Sequence, residues 1–97
     1  MAQFDYHRHG PGYLLDVQAD LMEGLNIRMA IPLLPPDVAP RQAHRLNPVF
    51  VIEGAPFVLL TQYMASVPIS ELAPPAGSLA DEYYVIKAAI DMLFDGF

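Results

Sequence analysis

Cysteine is absent from the sequence, which excludes disulfides, thiolate metal sites and thiol nucleophiles. Cations are scarce: Lys and Arg number 5 against 11 Asp and Glu, a formal net charge of −6. A protein that binds nucleic acid must neutralise phosphates with Lys and Arg, so no direct nucleic-acid partner is expected. Long hydrophobic runs are missing as well. No stretch approaches the roughly 18 apolar residues of a membrane span. The opening MAQFDYHRHG also lacks the apolar run of a signal peptide. A cytoplasmic location and no membrane partner are the expectation.

What remains is an apolar chain with few charges. Ninety-seven residues fit a single domain over 1–97. Apolar residues make up 54% and charged residues 16%, the reverse of a disordered composition. A chain this short exposes much of its surface even when folded. With so few charges to cover that surface, apolar area is expected to meet a partner or a second copy.

Proline is abundant, at 10 residues. Pro11, Pro35, Pro36, Pro40, Pro56, Pro74 and Pro75 punctuate turns and loops, whereas Pro32, Pro48 and Pro68 lie in or beside β-rich runs. Sheets tolerate proline only at edges, strand starts and bulges, so the sheet should be small and bent. Gln3 to His9 alternates, Gly10-Pro11-Gly12 turns, and Tyr13 to Gln18 returns as a hairpin. Asn26 to Leu33 predicts a third strand, with Ile27, Met29 and Ile31 alternating against Arg28. Leu34 to Leu46 reads as an irregular excursion. Val49 to Glu53 and Phe57 to Met64 form a second hairpin around Gly54-Ala55-Pro56, and Val67 to Leu72 is a last strand. After a break at Pro74 to Gly77, Ser78 with Asp81 resembles a capping box. From Leu79 the period turns helical, with Leu79, Tyr83, Ile86, Ile90, Leu93 and Phe94 on one stripe. Tyr84, Lys87, Asp91 and Asp95 hold a narrow opposite stripe.

Candidate chemistry is thin. His7 and His9 share a strand face as two metal ligands would, but His44 alone would have to complete the set, so no metal is assigned. Thr61, Ser66, Ser70 and Ser78 lack a nucleophile-elbow context, and Gly10, Gly12, Gly24 and Gly54 form no phosphate-cradling loop. Asp16 and Asp20 read as solvated positions. No cofactor and no catalytic residue are expected, so the chain is not read as an enzyme. One anomaly stands out at the carboxyl terminus. Helix ends prefer cations, because their free carbonyls are partly negative. Asp91 and Asp95 lie there instead, as a like-charged i, i+4 pair. They suggest an acidic, aromatic-tipped prong for a basic partner surface, or acids that keep an apolar helix soluble beside a Gly96 cap.

DVQADL (Asp16 to Leu21), RMAIPL (Arg28 to Leu33), LNPVFVIEG (Leu46 to Gly54), LTQYMASVPIS (Leu60 to Ser70) and IKAAIDMLFDGF (Ile86 to Phe97) follow in order over nearly the whole chain. With these landmarks in register, the chain resembles the CcdB toxins of bacterial type II toxin–antitoxin pairs. MASVP (Met64 to Pro68) is the most specific stretch. The resemblance implies a mainly β fold: an SH3-like β-barrel of the CcdB/MazF/Kid type, with a small additional sheet and a long C-terminal α-helix. It implies a homodimer joined near Met92, Leu93 and Phe94, which enters the DNA gyrase A subunit and poisons the gyrase–DNA cleavage complex. The family's gyrase-binding positions fall on Asp91, Phe94, Asp95, Gly96 and Phe97, with Leu21, Met22 and Phe4. Where well-known members carry a tryptophan that stacks on a gyrase arginine, this chain has Asp95, and their asparagine is Asp91. Aspartate can offer the same guanidinium a charge-assisted hydrogen bond. The resemblance also implies a CcdA-like antitoxin whose acidic segment folds onto the toxin and neutralises it, and transcriptional autoregulation by the pair. The other readings are a non-toxic domesticated relative that only binds its antitoxin, and a MazF/Kid-like endoribonuclease. The latter needs an Arg or His acid–base pair on a basic groove.

Overall fold

The computed structural model describes residues 2–22, 24–40 and 42–96. Seven strands form one antiparallel sheet: β1 (Asp5–His9), β2 (Gly12–Asp16), β3 (Ile27–Leu34), β4 (Val49–Ile52), β5 (Ala55–Leu59), β6 (Ala65–Pro68) and β7 (Pro75–Ser78). Helix α1 (Tyr83–Asp95) ends the chain's regular structure. The spatial order is β4-β5-β3-β2-β1-β7, with β6 paired to β3 off that path.

β3 bends this sheet. Its first half pairs with β6, from Ile27 opposite Pro68 to Ala30 opposite Ala65. Its last residues, Leu33 and Leu34, pair instead with Leu59 and Val58 of β5. Along the other edge it meets β2, with Ile31 opposite Leu15. Two strands leaving one edge at different heights curl the sheet into a half-barrel, mainly β and SH3-like as expected. The β4–β5 hairpin is continuous with the main sheet through β3. Pro32 sits within β3, and its carbonyl still accepts the Leu60 N–H at 2.9 Å.

The core lies inside the curl. Leu15, Ile31, Leu33, Phe50, Ile52 and Leu59 come from the strands, and Ile86 and Ala89 close it from α1. Those two helix positions are three apart, so they fall on one face. Phe4 packs edge-on against Tyr83, with ring centroids 5.7 Å apart, and fixes where the helix begins.

The structure corrects several expectations. Pro75–Ser78 is a strand, not a break: it pairs with β1, and the Tyr6 ring lies over Gly77, where any side chain would collide with it. The helix starts at Tyr83, after a 3-10 turn at Ala80–Glu82. Ser78 therefore does not cap the helix; its hydroxyl accepts the Ala80 N–H at 3.1 Å at the start of that turn. The second hairpin turns at Glu53-Gly54, both at positive φ, one residue tighter than the expected turn at Gly54-Ala55-Pro56. β5 stops at Leu59, and β6 starts two residues before Val67 and ends at Pro68 in a 3-10 turn at Ile69–Glu71.

The largest corrections concern charge and polarity. Asp16 is not solvated: it is 0% exposed and accepts from Arg28 Nε at 2.7 Å, with Arg28 itself 1% exposed. Every residue of β2 is buried, because the curl covers both faces of this strand. His7 is buried as well. A register shift between Tyr6 and His7 breaks the alternation and turns the imidazole inward, where Nδ1 donates to the Ala73 carbonyl at 2.7 Å. His7 thus parts from exposed His9. Among the described residues no cluster of three or more His, Asp or Glu has metal-binding geometry.

Candidate functional site

Helix α1 carries the acidic prong. Its last turn has no basic residue, and Asp91 and Asp95 are both exposed. Their mutual repulsion and their position at the negative end of the helix dipole cost a few tenths to about 1 kcal/mol. Gly96 adopts the left-handed conformation (φ 81°) and donates its N–H to the Met92 carbonyl at 3.0 Å, capping the helix. That cap sets the direction in which the chain leaves the helix. Phe94 is 70% exposed, an aromatic ring that lies between the two acids in sequence. Met92 and Leu93, expected at a dimer interface, are half-buried and face a loop. Phe97 lies outside the described residues, as does Arg41.

That loop spans 42–48 and lines two grooves with α1. Ala43, Arg45 and Leu46 line one groove with Met92 and Leu93. A larger one, about 770 Å³, runs between His44, Arg45, Pro48 and Val49 and the helix residues Tyr84, Val85 and Ala88. Tyr84, Val85 and Val49 are all exposed apolar side chains. Asn47 holds the loop in place. Its Oδ1 accepts the Ala43 N–H at 2.9 Å, and its Nδ2 donates to the Leu59 carbonyl at 3.0 Å and to Gln62 Oε1 at 2.6 Å. Thr61 adds a bond from its hydroxyl to the Leu46 carbonyl at 2.6 Å. Neither Asn47 nor Thr61 stands out in the sequence, although both sit in the segments LNPVF and LTQY.

The second candidate region is the 3-10 turn at Asp20–Met22, after β2. Leu21 is 93% exposed, Met22 53% and nearby Leu25 50%, an apolar knob on a chain otherwise able to bury its leucines. Asp20 accepts the Gln3 N–H at 2.8 Å, which ties this turn to the amino-terminal segment leading to Phe4. Phe4 itself is a correction. Only 3% exposed and wedged against Tyr83, it is a core residue and offers no surface to a partner. The remaining described candidates, Leu21, Met22, Asp91, Phe94, Asp95 and Gly96, are all exposed.

Surface cations are fewer than the composition suggests. Arg28 is buried against Asp16, and Arg8 pairs with Glu53 at 3.4 Å on the surface. Arg45 lines the larger groove together with His44. No helix of the described residues is long and apolar enough to cross a membrane. Comparison with known families gives a match over residues 3–96 to the model described as CcdB protein.

Proposed function

The chain belongs to the CcdB family, the toxins of toxin–antitoxin pairs, and from that premise we propose that it is a single toxin domain over 1–97 that poisons DNA gyrase. Two copies associate through Met92, Leu93 and Phe94, and the dimer enters the gyrase A subunit in the cytoplasm. Asp91, Phe94, Asp95, Gly96 and Phe97 of each copy contact gyrase, together with Leu21 and Met22. The protein acts as a wedge and not as a catalyst, by holding the gyrase–DNA cleavage complex open. A CcdA-like antitoxin removes it and, with it, represses their own transcription.

One observation carries this reading. The helix tip presents an exposed phenylalanine between two exposed aspartates, at a place where helix electrostatics favours cations. The arrangement costs the helix stability, and a basic, apolar-lined partner site would use it. The endoribonuclease reading is weakened by the loss of Arg28 to the core, since a basic groove must then be built from the few cations left. The non-toxic reading draws on Asp95, which replaces an aromatic contact of other members.

Deletion of Gly96 and Phe97 tests the proposal. The shortened protein is expected to remain dimeric, with an unchanged circular dichroism spectrum, and to lose its inhibition of bacterial growth. Undiminished growth inhibition by the folded, shortened protein would contradict it.

A further inference from the structure

Leu21 and Met22 stand out from the surface, yet little apolar packing holds them there. Polar bonds from beneath do. The Gln18 side chain spans two elements: its Oε1 accepts the Met29 N–H of β3 at 3.1 Å, and its Nε2 donates to the Met22 carbonyl at 2.9 Å. That carbonyl also accepts the Leu25 N–H at 3.2 Å, so one oxygen anchors both ends of the apolar knob. Gln18 is held in turn by the buried pair. Its own N–H donates to Asp16 Oδ1 at 3.0 Å, while Asp16 Oδ2 takes the Arg28 guanidinium at 2.7 Å.

A buried ion pair is weak evidence for stability, because desolvation consumes most of the attraction, and apolar residues of similar volume often do as well. A use in fixing geometry accounts better for this one. We propose that Asp16, Gln18 and Arg28 are positioning residues that hold the Leu21–Met22 turn outward as a preformed gyrase contact. This rests on the reading that Leu21 and Met22 touch gyrase. Polar anchoring suits such a knob: it orients the backbone without drawing Leu21 and Met22 into the core, and an ordered turn loses less entropy on binding. The sequence segments DVQADL and RMAIPL are then two halves of one lock, Asp16 and Gln18 from the first and Arg28 and Met29 from the second.

Gln18→Glu separates anchoring from folding. The carboxylate can still accept the Met29 N–H, but it has no hydrogen to give the Met22 carbonyl. Two readouts apply, one without gyrase. Hydrogen exchange at the Leu25 amide should rise about tenfold or more, while the strand amides of β2 and β3 keep their protection. Affinity for the gyrase A dimerisation fragment should fall about tenfold, and Leu21→Ala should add little in the variant background although it weakens the parent. Gln18→Met, which removes both bonds without adding charge, should behave alike except at the Met29 amide, which loses its acceptor and its protection. Unchanged exchange at Leu25 would overturn the anchoring. Faster exchange with parental affinity, or full additivity with Leu21→Ala, would overturn the positioning role. Parental affinity in Leu21→Ala alone would remove the knob from the gyrase surface, and this inference with it. A parent protein that never binds gyrase would instead refute the proposed function, leaving the exchange result to judge the anchor.

Discussion

Asp95→Lys should unfold at a higher temperature than the parent protein and bind gyrase far more weakly. The stability gain follows from the helix: the substitution removes a like-charged i, i+4 pair with Asp91 and puts a cation where the last carbonyls want one. A gain of about 0.3–1 kcal/mol raises the melting temperature by roughly 1–8 °C in a domain of this size. The binding loss follows from the partner. Removing one member of a desolvated charge pair costs about 2–5 kcal/mol, and the proposed dimer would present the residue twice. Affinity should therefore drop about 10³-fold or more. Thermal melting and titration on the same sample check both arms. If the acids served only solubility, the variant would bind as the parent does.

Arg28→Met should be the most damaging single substitution for stability. It leaves the Asp16 carboxylate fully buried beside a side chain that cannot answer its charge. Breaking such a pair on one side costs about 3–5 kcal/mol, a large share of the roughly 5–15 kcal/mol that holds a domain folded. The melting temperature should fall by more than about 12 °C. The double variant Asp16→Leu/Arg28→Met should recover most of that loss, because it removes the charge together with its partner. Urea denaturation of the single and double variants measures the difference. If the pair positions the Leu21–Met22 turn, the double variant should regain stability without regaining full gyrase affinity. A double variant that melts as low as the single one would mean that Asp16 is not the source of the loss.

Helix α1 and its odd ending are legible in the sequence, since an apolar period of 3.6 and acids at the wrong end need no tertiary information. The strands are legible to within a few residues for the same reason. Asp16, Arg28 and His7 are not. An alternating pattern identifies two faces, but it does not say that the sheet curls until both faces of β2 are covered. That covering is what turns a charge into a buried partner for Arg28. β7 escapes for a different reason. Its residues, Pro75 to Ser78, carry no strand preference of their own, and only the open edge of β1 makes them a strand. Gln18 and Asn47 are equally silent in the sequence, because an amide reveals its role only through the atoms it bridges. Phe4 falls on a partner-contact position by its resemblance, yet it is buried here, where the Tyr83 ring and the start of the helix take up its side chain.

The exposed helix tip gives the central claim its most direct test, calorimetric titration of the purified protein into the dimerisation fragment of a bacterial gyrase A subunit. Saturable binding at one toxin dimer per fragment dimer is the predicted result, with Asp95 serving in place of the family's aromatic contact. No heat at high concentration, from a sample shown to be folded, would contradict gyrase as the target.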